Sequence, residues 1–491
     1  MSREFPRWRI CALAAVLAAA ATNACAQDSQ QFPHADLERR VADLERRLTP
    51  CVTSTFSVDP PADSTSEGNP EPAAAIGNAN PKPAVDPTTP KVAGWRDGFF
   101  LHSADKSFSL RITGQLEGDF RGFLNNADRT DIDTFLFRRA RLGIEATMLD
   151  YYEFRLLPDF AGISPPSMST PAVADAYMNI HYWEGLQFEV GKFKQPFSYE
   201  QLIQDRYVPT LERSMIDQLV PARDVGVMIH GHQMCDDRLE YAVSVSNGEI
   251  DGGTGNTDTN DGKDLNARIA VRPFNDDQWD VLRHLQFGIS GGVGIENEPM
   301  SPATLTTPAT VPWLVFSSGD MAEGVRTRLS PELVYFYHSF GFASQYYHQE
   351  QQLATSASAA AVRVPFDGFY VLATYLLTGE QRYDYTQQID PIRPFGIATP
   401  FASPGAWEAV FRVSRLDVGS EIFTDHLADP TKYSSGALES TLGFNWYWNK
   451  WVRAQFNWEH ARFDDPVALG NAAHLLTDHQ DTLYCRFQFI F

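Results

Sequence analysis

The sequence predicts an all-β fold: a sixteen-stranded antiparallel transmembrane β-barrel with a short N-terminal coiled-coil helix. Three observations predict it. Apolar and polar residues alternate with period two from about residue 107 onward. The connections between the alternating segments are short and long in turn. Beyond the N-terminal segment, no uncharged apolar run reaches the ~20 residues a membrane helix needs, so any span is made of strands.

The alternation is seen in three segments. Phe108, Leu110, Ile112 and Leu116 interleave with Ser109, Arg111, Thr113 and Gln115. Leu442, Phe444 and Trp446 interleave with Thr441, Asn445 and Tyr447, and Val452, Ala454, Phe456 and Trp458 with Arg453, Gln455, Asn457 and Glu459. A soluble sandwich alternates in the same way. The connections separate the two folds. Sixteen strands are read between 107–121 and 480–491, joined tightly at Met148–Asp150, Trp183–Gly185, Asn449–Lys450 and around Ser339. The intervening segments 195–223, 247–263 and 296–322 are long and are read as polar loops. Short turns at one end and long loops at the other mark an outer-membrane barrel. An even strand number puts both ends of the barrel on the short-turn side, the periplasm. Leu483, Phe487, Phe489 and Phe491 share one face of the last strand. That pattern resembles the signal read by the barrel-assembly machinery.

Upstream of the barrel the chain divides into three parts. Residues 1–26 read as a signal peptide, with Arg3, Arg7 and Arg9 before an apolar run and Ala24-Cys25-Ala26 as the cleavage pattern. Residues 27–49 hold a short helix in which Leu37, Val41, Leu44 and Leu48 form a two-heptad seam. Residues 50–94, rich in Pro and Ala, read as a disordered linker, and 95–491 as the barrel.

The first 26 residues contain three Arg and one Glu, so the remainder carries 37 Lys+Arg against 61 Asp+Glu, a formal charge of −24. That balance excludes a nucleic-acid partner, which requires a basic face. Cys51, Cys235 and Cys485 are widely spaced and read as three unrelated thiols. Neither HExxH nor a phosphate-binding glycine loop occurs. No enzyme, cofactor or metal site is expected.

Several segments together resemble the phosphate-selective porin O/P family. They are Phe137-Arg138-Arg139-Ala140-Arg141-Leu142-Gly143, Gly191-Lys192-Phe193-Lys194-Gln195-Pro196-Phe197-Ser198, Glu212-Arg213-Ser214, Pro221-Ala222-Arg223-Asp224-Val225-Gly226-Val227, Leu377-Thr378-Gly379-Glu380 and Gly405-Ala406-Trp407-Glu408. The resemblance implies a sixteen-stranded, usually trimeric barrel whose loops fold inward to narrow the pore. It also implies a cationic lining that attracts anions, phosphate among them.

A pore's chemistry is its lining. Arginine is the apt residue, because its planar guanidinium offers several fixed donors and stays charged near pH 7. Arg139 and Arg141 fall on the lumen face of the second strand by period-two counting. The same counting places Arg111, Arg155 and Arg363 on lumen faces. Segment 195–223 is the candidate constriction loop. It carries Arg206, Arg213 and Arg223, and its apolar Leu202, Ile203, Leu211, Met215 and Leu219 suit packing on the wall. Segment 378–404 is long although it lies on the short-turn side, and its Arg382 and Arg393 make it a second plugging candidate. The expected function is passive diffusion of small anions, phosphate or polyphosphate among them, through an arginine-lined pore. Alternative readings are a general or cation-tolerant porin, favoured by the acidic balance, and an outer-membrane tether to the cell wall. Expected partners are small anionic solutes, outer-membrane lipid and lipopolysaccharide, the assembly machinery and two further copies in a homotrimer.

Overall fold

The computed structural model describes residues 92–491 except 96–97, 125–131, 162–171, 249–259, 276–279 and 470–475. The expected signal peptide, coiled-coil helix and nearly all of the expected linker lie outside the described residues. A short hairpin comes first, β1 (Ala93–Trp95) and β2 (Phe99–His102). Nine barrel strands follow: β3 (Phe108–Leu124), β4 (Thr134–Met148), β5 (Tyr152–Asp159), β6 (Ala172–Trp183), β7 (Leu186–Lys194), β8 (Arg223–Gln233), β9 (Leu239–Ser246), β10 (Asp264–Val271) and β11 (His284–Pro299). A small hairpin, β12 (Thr304–Thr306) and β13 (Pro312–Val315), interrupts the series. Seven barrel strands complete it: β14 (Met321–Tyr337), β15 (Phe340–Ala354), β16 (Val362–Leu376), β17 (Ala406–Val418), β18 (Gly436–Tyr447), β19 (Val452–Ala468) and β20 (Leu476–Ile490).

Each barrel strand pairs antiparallel with the next, and β20 pairs back onto β3 from Asp481↔Leu124 to Ile490↔Gln115. Gly114 and Phe491 exchange backbone hydrogen bonds of 2.8 and 3.0 Å at the seam. Sixteen strands thus close, and closure leaves no unpaired edge for lipid to cover. The first hairpin adds to the starting end of β3 through Phe99↔Ile112.

Burial in this barrel is inverted relative to a water-soluble one. On β18, Thr441 and Asn445 point inward and are wholly buried, whereas Leu442 and Phe444 point outward and are 50 % and 41 % exposed. Phe135, Phe137, Leu116, Phe411, Leu483 and Phe487 repeat this around the wall. An apolar surface of this extent is not stable against water; lipid is the solvent that fits it. Aromatic rings gather at the short-turn end, with Trp407 stacked on Trp446 at 5.1 Å and Tyr151 on Tyr182 at 4.6 Å.

Three expectations are corrected. Segment 296–322 is not a polar loop: β11 runs on to Pro299, and the β12–β13 hairpin is buried, with Leu305, Trp313 and Leu314 at 0 % exposure. Its apolar residues join one core with Met215 and Ile216. Arg363 points outward and pairs with Glu350 at 3.1 Å, because Val364 and Phe366 take the inward parity of β16. Cys235 is disulfide-bonded, so it is not an isolated thiol, whereas Cys485 is free.

Candidate functional site: a constricted lumen

The connection between β7 and β8 does not stay outside. Its apolar residues cannot be left in water, and the barrel gives them a wall. Phe197, Ile203, Met215, Ile216 and Leu219 are buried against Tyr347, Phe366, Tyr370 and Val410. Polar contacts record its path across the lumen. Ser198 Oγ donates to Gln345 of β15 (2.8 Å), and the Tyr199 N–H donates to Glu332 of β14 (2.7 Å). Further on, the Met215 N–H donates to Ser414 of β17 (3.0 Å), and Asn445 of β18 donates to the Pro209 carbonyl (2.9 Å). Arg486 of β20 closes the circuit on the Leu211 carbonyl at 2.6 Å.

Two loop carboxylates clamp this span to the wall opposite. Glu212 accepts from Arg138 at 2.7 and 3.0 Å and from Arg486 at 2.8 Å, with Arg121 at 3.4 Å. Asp205 pairs with Arg141, with Arg213 at 2.6 Å, with Arg139 at 3.5 Å and with Arg223 at 3.7 Å. Burial works against a charged Asp205, yet Arg139, Arg213, Arg141 and Arg223 outweigh it and hold its carboxyl well below the usual range. Glu212 is likewise held far down, with Arg138, Arg486 and Arg139 overcoming its burial.

Arg138 reaches the loop because of a β-bulge. Glu117 pairs with Arg139 and Gly118 with Phe137, so one residue of β4 has no opposite number. Outward parity changes there from Phe135 and Phe137 to Leu142 and Ile144. Strict alternation with Arg139 and Arg141 would send Arg138 to lipid; the extra residue lets adjacent Arg138 and Arg139 both reach the loop side. Consecutive arginines in a strand were the one available signal.

Among the described residues, an eccentric cavity of ≈ 200 Å³ lies between the loop and the wall from β3 to β8. Arg141, Arg155, Lys194, Arg206 and Arg223 line it, against Asp175, Glu189 and Asp205. Most of these are engaged. Arg223 holds Asp175 at 2.7 Å, and Arg155 lies 3.0 Å from Glu145 and 3.2 Å from Asp175. Lys194 donates to the carbonyls of Gln201 and Ile203. Arg206 differs: its Nε donates to Gln204 at 2.7 Å, its guanidinium lies 5.4 Å from the Tyr207 ring, and no carboxylate pairs with it among the described residues. Burial lowers its pKa from the ordinary value, Tyr207 opposes this, and Arg155 adds to it. Arginine stays charged regardless.

Of the seven arginines singled out from sequence, Arg141, Arg206 and Arg223 line this cavity. Arg139 is buried behind them on Glu117 at 2.7 Å. Arg213 is a brace within the loop, donating to the Glu200 and Ile203 carbonyls at 3.0 and 2.8 Å. Arg382 is drawn into the mouth at the short-turn end, where it pairs with Glu408 and donates to Tyr447 at 3.2 Å. Arg393 is exposed. Its segment turns outward, with the Phe395 ring 4.8 Å from Trp446. The β12–β13 hairpin packs against the loop inside the barrel, and its Thr306 exchanges hydrogen bonds of 2.6 and 2.8 Å with Gln218 of the loop.

A family model described as phosphate-selective porin O and P matches residues 110–491. Porin O of Pseudomonas aeruginosa is 20 % identical over 425 residues, covering 81 % of this chain and 91 % of that protein. Among solved structures, an anion-selective porin from Comamonas acidovorans superposes with a TM-score of 0.48 at 12 % identity, covering 78 % of this chain and all of that one. OmpT of Vibrio cholerae, in trimer form, gives 0.46 at 10 % identity with the same coverage. The family match spans nearly the whole closed barrel and its infolded loop: the chain belongs to the phosphate-selective porin O and P family and is an outer-membrane porin.

Proposed function

We propose that this porin passes small anions, phosphate or polyphosphate among them, along the eccentric path between the infolded loop and the β3–β8 wall. One observation carries the reading. Arg206 presents a guanidinium to the cavity with no carboxylate partner among the described residues, while Arg141, Arg155 and Arg223 stand around the same cavity. In a narrow, partly dehydrated passage the effective dielectric falls and such a charge acts strongly on a passing ion. The acidic total matters less there, since charges beyond the ~8 Å screening length at physiological salt contribute little.

The test is the reversal potential of the reconstituted channel in a salt gradient. The wild type should prefer anions, and Arg206→Glu should move the potential toward cations. A wild-type channel that prefers cations and is indifferent to Arg206→Glu establishes the general-porin reading instead. The rest of the biology belongs to the same proposal. The short-turn end faces the periplasm, residues 1–26 are removed on export, and residues 27–49 and 50–94 extend from a trimer as helix and linker. Lipopolysaccharide and phospholipid cover the outward apolar wall. Deleting residues 27–93 and measuring oligomer size tests the helix.

A further inference from the structure

We propose that the cavity beside Arg206 is a subsite for hydroxylated organic anions: the anionic group meets Arg206, and the hydroxyl meets a polar pair formed by Tyr177 and Glu189. This rests on the anion-channel reading and adds a substrate class to it. Tyr177 of β6 and Glu189 of β7 both line the cavity. They share a face of adjacent strands, because Tyr177 pairs with Gly191, two residues beyond Glu189. Nearly every other charged lining group is tied to protein. Asp175 and Asp205 are held by arginines, and Lys194 by two carbonyls. The exceptions are Arg206, Tyr177 and Glu189. Arg206 uses only its Nε within the protein. The Tyr177 hydroxyl has no hydrogen-bond partner among the described residues, and the Glu189 carboxyl has only His230 Nε2 at 3.9 Å, beyond hydrogen-bond range.

Three groups left open on one cavity therefore offer donors to an anion from one element and a hydroxyl contact from another. A carboxyl accepts a hydrogen bond in either protonation state, and a phenol both donates and accepts. Size agrees with a small solute. At about 30 Å³ per water, the cavity has room for roughly seven waters, or one anion of a few heavy atoms. A simple anion without a hydroxyl would leave Tyr177 and Glu189 facing water, whereas a hydroxy acid or polyol phosphate would engage all three.

Proteoliposome swelling with lactate and propionate tests this, because the two anions differ chiefly by one hydroxyl. The wild-type protein should favour lactate about two- to tenfold, the range one hydrogen bond confers. Tyr177→Phe removes one oxygen and disturbs packing least. It should bring the ratio toward one, and Glu189→Ala should do the same. Equal rates for the two anions in the wild type, or a ratio unchanged in both variants, overturns the proposal. Arg206→Ala distinguishes this failure from failure of the anion path: it should slow lactate and propionate alike. If Arg206→Ala acts on both anions but the ratio never departs from one, the anion path stands and the subsite does not.

Discussion

Arg138 on the barrel wall holds Glu212 on the infolded loop through two hydrogen bonds, Nε at 2.7 Å and Nη2 at 3.0 Å. The fork geometry fixes the loop's position as well as its attachment. Arg486 reaches the same carboxylate from β20 at 2.8 Å. Removing one partner of such a buried cluster leaves the others uncompensated. Glu212→Gln should therefore destabilise the folded barrel by about 3–5 kcal/mol. Urea unfolding in detergent measures the loss. Single-channel recording should show larger and noisier conductance as the loop loosens.

The clamps should hold through mild acid. Asp205 and Glu212 are both held far below the ordinary carboxylate range. A carboxylate depressed on folding adds stability that is fully present above its unfolded pKa, about 4. That contribution is lost as pH falls through the lower folded value. The stability these two clamps contribute, read by unfolding in detergent, should hold from pH 7 to about 5 and fall only below about 4. A transition centred near neutral pH would show that other groups control the loop.

Arg213 and Arg206 should behave differently although seven residues separate them. Arg213 braces the loop through Asp205 at 2.6 Å and two carbonyls, and it does not line the cavity. Arg213→Gln should lower thermal stability and leave the reversal potential near the wild-type value. A selectivity shift equal to that of Arg206→Glu would place Arg213 on the ion path.

The β12–β13 hairpin should act as a plug. Trp313 is wholly buried in the core shared with the loop. Trp313→Ala should cost about 3–5 kcal/mol through the cavity it leaves. If the hairpin narrows the lumen, conductance should rise as well. Unfolding curves and single-channel conductance on one preparation check both effects.

Gly191 should tolerate no side chain. Its φ is 127°, a region L-residues rarely adopt, and an added Cβ would lie 2.2 Å from the Ala176 carbonyl oxygen. Gly191→Ala should disrupt β6–β7 pairing and reduce the heat-modifiable barrel seen on an unheated detergent gel. Normal yields would show that the strand shifts to admit it.

The alternation of residues such as Thr441 and Leu442 determined which side of each strand meets the lumen, because lumen and lipid are opposite solvents and the strand period is two. Turn lengths likewise determined the strand count, and apolar residues in 195–223 foretold an infolded loop. The same apolar signal stood in Leu305, Val311, Trp313 and Leu314, where length and a polar reading concealed it. Partnership was decided only by the closed barrel. Glu212 meets Arg138 and Arg486 from 74 and 274 residues away. An arginine braces a loop, seals a wall or faces a solute according to which carboxylate lies within reach. That distance depends on barrel closure, on the bulge at Arg138 and on the path of the loop, and local sequence carries none of these.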